Sequence, residues 1–114
     1  MIVDFSLRPP YKSLTKLEQY QKKPEENFAP KIGMTVSAAA AQFSMDLLMK
    51  EMDDAGIVHG VCHGRPSVGT KNEDLIGVMR EYPSKFTAFA GVRFTDVSQA
   101  VAEAKHCLDD IGLT

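Results

Sequence analysis

The pattern of hydrophobic and polar positions predicts short strands that alternate with helices. A β-prone run at residues 2–7 is followed by Pro9 and Pro10, and proline cannot donate to a ladder and restricts the residue before it. Short apolar runs predict a second strand at 58–62 and a third at 87–94, the clearest of the three. The chain is therefore expected to build its sheet from three short strands.

The first long helix is predicted over residues 44–55. Ser44 can accept a hydrogen bond as its N-cap, and Gly56 lies where a left-handed residue commonly ends a helix. Apolar positions at i, i+4 and i+7 should form one buried stripe: Leu48, Met52 and Ala55. This helix leads directly into the second strand.

Two further helices follow the second and third strands. Asn72 is expected to cap the first of them, which ends at Pro83, and Asp96 is expected to cap the second. The last helix carries an apolar stripe that we expect to be buried: Val97, Ala100, Val101, Ala104, Leu108 and Ile111. The resulting β-α-β-α-β-α order predicts an α/β fold with parallel strands and right-handed crossovers.

The 114 residues predict one domain, 1–114, with a long insertion at about 9–43 between the first strand and the first long helix. Whether this insertion covers one end of the sheet or follows an irregular path is left open by its composition. Three parallel strands leave two open edges, and a complete (β/α)₈ barrel takes about 250 residues. We therefore expect the first three units of a larger TIM barrel, with a complete small α/β domain as the alternative.

Composition excludes several classes of function. Hydrophobic residues make up 44% and charged residues 25%, and the net charge of −2 offers no basic face for nucleic acid. No apolar run approaches the roughly 18 residues of a membrane-spanning helix, and the N-terminus lacks the pattern of a secretory signal. Cys62 and Cys107 are too few for a disulfide framework. Reduced thiols and a cytoplasmic location are expected.

Several segments together resemble one known family: Ile2-Val3-Asp4-Phe5 with Pro9-Pro10, Met52-Asp53-Asp54-Ala55-Gly56-Ile57, Asn72-Glu73-Asp74, Tyr82-Pro83-Ser84-Lys85-Phe86 and Phe89-Ala90-Gly91-Val92. They are similar to the N-terminal part of the amidohydrolase-2 family of metal-dependent TIM-barrel hydrolases and decarboxylases. The resemblance covers residues 1–8 and 44–114. It implies hydrolysis or decarboxylation of a small molecule by the whole barrel.

The resemblance fails at the metal site of the first strand. Family members usually hold zinc or another divalent metal with the two histidines of an Asp-x-His-x-His first strand. In this chain Asp4 matches the aspartate, but Ser6 and Arg8 occupy the positions of the two histidines. Serine is a poor ligand for zinc, and the fixed charge of arginine repels a cation. We therefore expect no metal or other cofactor in this chain, and no activity from this chain alone.

Active sites of TIM barrels lie at the carboxyl ends of the strands. Those ends carry five candidate residues: Ser6, Arg8, His63, Arg65 and Arg93. Three converging arginines would bind a carboxylate bidentately, with Arg8 in the space of the missing metal, and His63 is a candidate catalytic acid or base of the intact barrel. The alternatives are arginines that face solvent or pair with loop acids, and a hydrogen-bonded, non-catalytic His63.

Two apparent pairs of reactive residues are not expected to act together. His59 and His63 lie four residues apart on a strand, about 13 Å, which is too far to share one ion. Cys62 and His63 are adjacent and should point to opposite faces of the sheet. The resemblance thus implies part of a hydrolase or decarboxylase, and the three arginines predict a small carboxylated substrate. The alternative is a non-catalytic α/β module that binds an anion or self-associates into a homo-oligomer through its open edges.

Overall fold

Three parallel strands form one sheet in the order β1-β2-β3. The computed structural model describes residues 1–113 except for the side chain of Pro24. Strand β1 spans Ile2–Asp4, β2 spans Ile57–His63 and β3 spans Phe86–Phe89. The predicted parallel α/β arrangement is confirmed.

Six α-helices lie in the described part of the chain: α1 Glu18–Gln21, α2 Phe28–Lys31, α3 Ala38–Gln42, α4 Met45–Ala55, α5 Asn72–Glu81 and α6 Val97–Lys105. Short 3₁₀ turns occupy Lys12–Lys16, Pro24–Glu26 and Pro66–Val68, and a π-helical turn, His106–Asp110, continues α6. Helices α4, α5 and α6 are the three long helices expected from the sequence. No helix of residues 1–113 has the length and apolar character needed to cross a membrane.

The ends of α4 and the start of α6 form as the local sequence predicts. The Ser44 hydroxyl accepts from the Leu47 amide at 3.2 Å, and the Asp96 carboxylate accepts from the Gln99 amide at 3.1 Å. Gly56 adopts a left-handed φ of 73°, which glycine reaches without steric cost. Local hydrogen bonding and backbone sterics therefore account for these boundaries.

The two faces of the sheet have different surroundings. Residues paired in a parallel ladder share a face, and the pair Cys62–Ala88 is buried in the core, at 1% and 2% exposure. The pair His63–Phe89 is exposed. We call the side of Cys62 the helix face, because α4 and α5 pack there, and the side of His63 the inner face, which corresponds to the interior of a barrel.

Strand β1 ends at Asp4, so the prediction of a strand over residues 2–7 was wrong for residues 5–7. The Asp4 carboxylate accepts from the Ser6 amide at 2.9 Å and closes a turn that ends the strand. The backbone then continues past β2, with the Leu7 amide donating to the Val61 carbonyl at 3.1 Å. Because the alternation stops at Asp4, residues 6 and 8 do not share a strand face.

Strand β3 is also shorter, since the prediction placed its end at residue 94. Beyond Phe89 the peptide of Gly91 bonds to the side chain of Asn72 instead of joining a ladder. The predicted capping role of Asn72 was accordingly wrong. Lys71 holds the cap position without a side-chain bond, and Asn72 is the first residue of α5.

The apolar stripe predicted for the last helix is not buried as a whole. Val97, Val101 and Leu108 are 76%, 50% and 58% exposed. Cys107 is buried at 1%, and its thiol lies 3.7 Å from Glu103 Oε1. Residues 103 and 107 lie one turn apart on the same face of the helix. Glu103 bonds to Asn72 at the start of α5, so this face packs toward α5.

The first half of the insertion packs into the helix layer against α5. Tyr11 donates to Glu81 Oε1 at 2.6 Å, and the Ser13 amide donates to Asp74 Oδ2 at 3.1 Å. Leu14, 1% exposed, joins the core. Residues 11–14 therefore support α5 from the side, where neither proposed path for the insertion had placed them.

Candidate functional site

A cavity of about 620 Å³ lies at the carboxyl ends of β2 and β3. The loop after β2 supplies one wall and the segment after β3 the other. Two of the predicted arginines, Arg65 and Arg93, line it. The full lining is Gly64, Arg65, Pro66, Ser67, Ala90, Gly91, Val92, Arg93, Phe94 and Thr95. We call it the two-arginine cavity.

Hydrogen bonds between the two walls fix their relative position. The Gly64 amide donates to the Phe89 carbonyl at 3.1 Å, and Arg93 Nη2 donates to the Pro66 carbonyl at 3.1 Å. Gly64 and Gly91 also bring their backbones unusually close. A Cβ at Gly91 would overlap the Gly64 carbonyl and lie 2.6 Å from Pro66 Cδ. The cavity thus depends on two positions that carry no side chain.

Arg65 and Arg93 are both exposed and face this cavity. Among the described residues, neither forms an ion pair with a carboxylate. The pKa of the Glu18 carboxyl is lowered chiefly by its 2.5 Å pair with Lys22 and less by the charges of Arg65 and Arg8. Both guanidinium groups therefore keep donors available for an added anion.

Ser6 and Arg8 line a different cavity of about 420 Å³, between β1 and helices α3 and α4. Arg8 Nη1 donates to Gln19 Oε1 at 3.1 Å, and the Arg8 carbonyl accepts from the Tyr20 hydroxyl. Arg8 thus lines a different cavity from Arg65 and Arg93, because β1 ends before it and the chain turns toward α1. Any contact of Ser6 or Arg8 with substrate stays a prediction.

His63 ends β2 on the inner face beside Phe89. Its imidazole is exposed and forms no hydrogen bond to any residue of the described chain. Cys62 lies on the opposite face, where burial first and the charge of Asp4 second raise the pKa of its thiol to about 12. The predicted placement of Cys62 and His63 on opposite faces of the sheet is confirmed.

The second inner-face histidine of β2 is fully engaged. His59 Nδ1 lies 2.9 Å from the Ser84 carbonyl, and its Nε2 lies 2.8 Å from the Thr87 hydroxyl. Within residues 1–113, no three His, Cys, Asp or Glu side chains come together in a group that could hold a metal ion. His59 therefore joins β2 to the turn that precedes β3.

Sequence reasoning did not find the part played by Asn72 and Glu103. Asn72 binds the Gly91 peptide and Glu103, and both side chains line a second cavity of about 610 Å³ between α5 and α6 that also reaches Arg93. His106 also lines this cavity. The pKa of the His106 imidazole is raised, chiefly by its hydrogen bond to Asp110. The available signal was Gly91 within a predicted strand, since such a glycine often marks a close backbone approach.

Comparison with known proteins defines the fold class. The chain is similar to an uncharacterized TIM-barrel protein from Bordetella bronchiseptica, at 33% sequence identity and a TM-score of 0.89. The match covers 98% of this chain and 41% of that protein, so the chain spans less than half of its relative. Three parallel βα units with this match give the chain the fold of part of a TIM barrel.

No protein-family model matches the chain, and no curated protein does.

Proposed function

We propose that this chain supplies substrate-binding arginines to a TIM-barrel enzyme that acts on a small carboxylate-bearing molecule. The supporting observation is that Arg65 and Arg93 line one cavity at the carboxyl ends of neighbouring strands. Guanidinium groups pair bidentately with carboxylates, and the carboxyl ends of the strands carry the active sites of TIM barrels. A small organic acid is therefore the proposed substrate class.

The proposed reaction class is hydrolysis or decarboxylation, which rests on the resemblance to the amidohydrolase-2 family. His63 is the proposed general acid or base, since its exposed imidazole ends β2 at the edge of the sheet where TIM-barrel active sites lie. The chain spans 41% of the related barrel, so the remaining groups of the reaction would come from other strands of a complete protein.

The metal of that family does not fit the donors present at β1. Ser6 offers a neutral hydroxyl, and Arg8 offers a fixed positive charge whose Nη1 donates to Gln19. Asp4 accepts from the Ser6 amide, which leaves one carboxylate for an ion that usually takes four ligands. We therefore assign no step of the reaction to a metal held by this strand.

Replacing Arg93 or Arg65 with methionine should weaken the binding of succinate, used as a small carboxylate probe. A charge-assisted hydrogen bond contributes about 1.5–3 kcal/mol, so each change should raise the Kd by about 10- to 100-fold. Isothermal titration calorimetry of the protein measures this. Arg80→Met is the matched control, since Arg80 lies in the last turn of α5, away from the cavity, and its loss should leave the Kd unchanged.

Equal Kd values for wild type, Arg65→Met and Arg93→Met would refute the anion site, as would no binding by the wild type. The same titration with Arg8→Ala decides whether Arg8 belongs to the site. An unchanged Kd would remove Arg8, together with the cavity that it lines, from the proposed substrate contacts.

The alternative of a self-associating module is favoured by one observation, the exposed apolar face of α6. Val97, Val101 and Leu108 lie on it, and Phe94 precedes it at 87% exposure. Contiguous exposed apolar side chains often mark an interface. Sedimentation velocity over a range of concentrations should then show a dimer that Val101→Glu dissociates. A wild-type monomer throughout would remove this alternative.

A further inference from the structure

The side-chain amide of Asn72 connects three parts of the chain and is only 4% exposed. Its Nδ2 donates to the Gly91 carbonyl at 2.9 Å, and its Oδ1 accepts from the Gly91 amide at 3.0 Å. The same Nδ2 also donates to Glu103 Oε1 at 2.7 Å. One residue of α5 therefore holds the segment after β3 and helix α6 together.

The pairing between Asn72 and Gly91 requires both functions of a carboxamide. A peptide group presents one donor and one acceptor, and among similarly sized side chains only asparagine presents the complementary pair. Aspartate at this position could accept from the Gly91 amide but could not donate to its carbonyl. The contact thus depends on the chemical identity of the residue as well as on its volume.

Glu103 fixes the orientation of this amide. Its Oε1 can only accept while ionised, so it selects the rotamer of Asn72 that places Nδ2 toward α6 and Oδ1 toward the Gly91 amide. The opposite rotamer would bring the Asn72 oxygen against a carboxylate and against the Gly91 carbonyl. Helix α6 therefore determines how α5 holds the strand end.

This contact lies next to both walls of the two-arginine cavity. Arg93 lies two residues after Gly91 on one wall. On the other wall, the Arg65 amide donates to the Thr70 hydroxyl at 2.6 Å, which braces the loop after β2 just before α5 begins. Asn72 lies at the junction of this braced loop with α5, so its bonds to Gly91 link one wall directly to the other.

We infer that Asn72 is a positioning residue of the two-arginine cavity. Oriented by Glu103, it holds the spacing between the loop that carries Arg65 and the segment that carries Arg93, together with the Gly64–Phe89 and Arg93–Pro66 hydrogen bonds. The inference rests on the proposed function for its effect on carboxylate binding, because two guanidinium groups can share one small anion only at a fixed separation. The spacing itself can be measured without any ligand.

The spacing can be measured between spin labels on the two walls. Ser67→Cys and Thr95→Cys introduce exposed labelling positions, one on each wall. The native thiols, Cys62 and Cys107, are each 1% exposed and should remain unlabelled in the folded protein. Double electron–electron resonance then gives the distribution of distances across the cavity.

In this background, Asn72→Ala and Asn72→Asp should both broaden the distribution relative to the parent. Val78→Ala is the matched control, since Val78 is buried at 0% in the same helix but its side chain has no group that could hydrogen-bond to Gly91. It should lower the melting temperature without broadening the distribution. Glu103→Ala leaves Asn72 in place and should broaden it less. Glu103→Gln keeps an acceptor oxygen and should restore the parent width.

Succinate titration separates this inference from the proposed function. If the proposal holds, Asn72→Ala should raise the Kd about tenfold, and Val78→Ala should leave it unchanged. Unaltered distances in Asn72→Asp and Glu103→Ala would overturn the positioning role, whether or not succinate binds. Broadened distances with no succinate binding by the wild type would uphold the positioning role and refute the proposed function.

Discussion

Gly91→Ala should lower the free energy of unfolding by about 2–4 kcal/mol, by overpacking and by straining the hydrogen bonds of this peptide. The added Cβ would overlap the Gly64 carbonyl, which belongs to the backbone and cannot rotate away, and would press on Pro66 Cδ at 2.6 Å. Relief requires the two loops to separate, which stretches the bonds from Asn72 to Gly91. Urea denaturation followed by circular dichroism measures the loss.

Thr95→Ala serves as the control for this prediction. Thr95 lies on the same cavity wall but is exposed, so its truncation should change stability by no more than about 0.5 kcal/mol. If Gly91→Ala unfolded at the same urea concentration as the wild type, the close approach of Gly64 and Gly91 would not constrain the folded protein.

Leu75→Ala should cost about 2–5 kcal/mol, the usual range for a buried leucine. Leu75 is 0% exposed on α5 and belongs to the core that includes Met52, Cys62 and Phe86. The loss is a large part of the roughly 5–15 kcal/mol that stabilises a typical domain. Thermal and urea denaturation should show a much lower midpoint with native-like secondary structure before the transition.

The matched control for Leu75→Ala is Leu108→Ala, the same chemical change at a side chain that is 58% exposed. Its expected cost is about 0.5 kcal/mol or less, because little apolar surface returns to water. Equal losses in the two variants would contradict the assignment of α5 to the core and of this part of the last helix to the surface.

The order of strands and helices could be predicted because its signals are local. Ser44 and Asp96 accept from amides three residues ahead, and Gly56 needs only its own backbone freedom. Such interactions can be read from a few neighbouring residues. Three parallel strands and the fold of part of a TIM barrel follow from this order.

The details of the candidate site depend on contacts between distant residues, which the sequence pattern does not contain. Asparagine is a residue type that commonly caps helices, but the side-chain amide of Asn72 bonds instead to Gly91, 19 residues away. Arg8 was predicted to lie at the barrel mouth because side chains alternate along a strand. That strand ends at Asp4, where a local turn begins. Arg65 and Arg93 were predicted to lie together because carboxyl ends of parallel strands meet at one edge, and both line the same cavity.

The bonds of His59 determine which imidazole of the inner face can exchange a proton. A carbonyl oxygen only accepts, so the bond to Ser84 requires the proton on Nδ1, and in a neutral ring Nε2 then accepts a hydrogen bond from the Thr87 hydroxyl. Both lone-pair and proton positions of this tautomer are used. A proton carrier on the inner face of β2 would therefore be His63, and His59→Gln would be expected to loosen the start of β3.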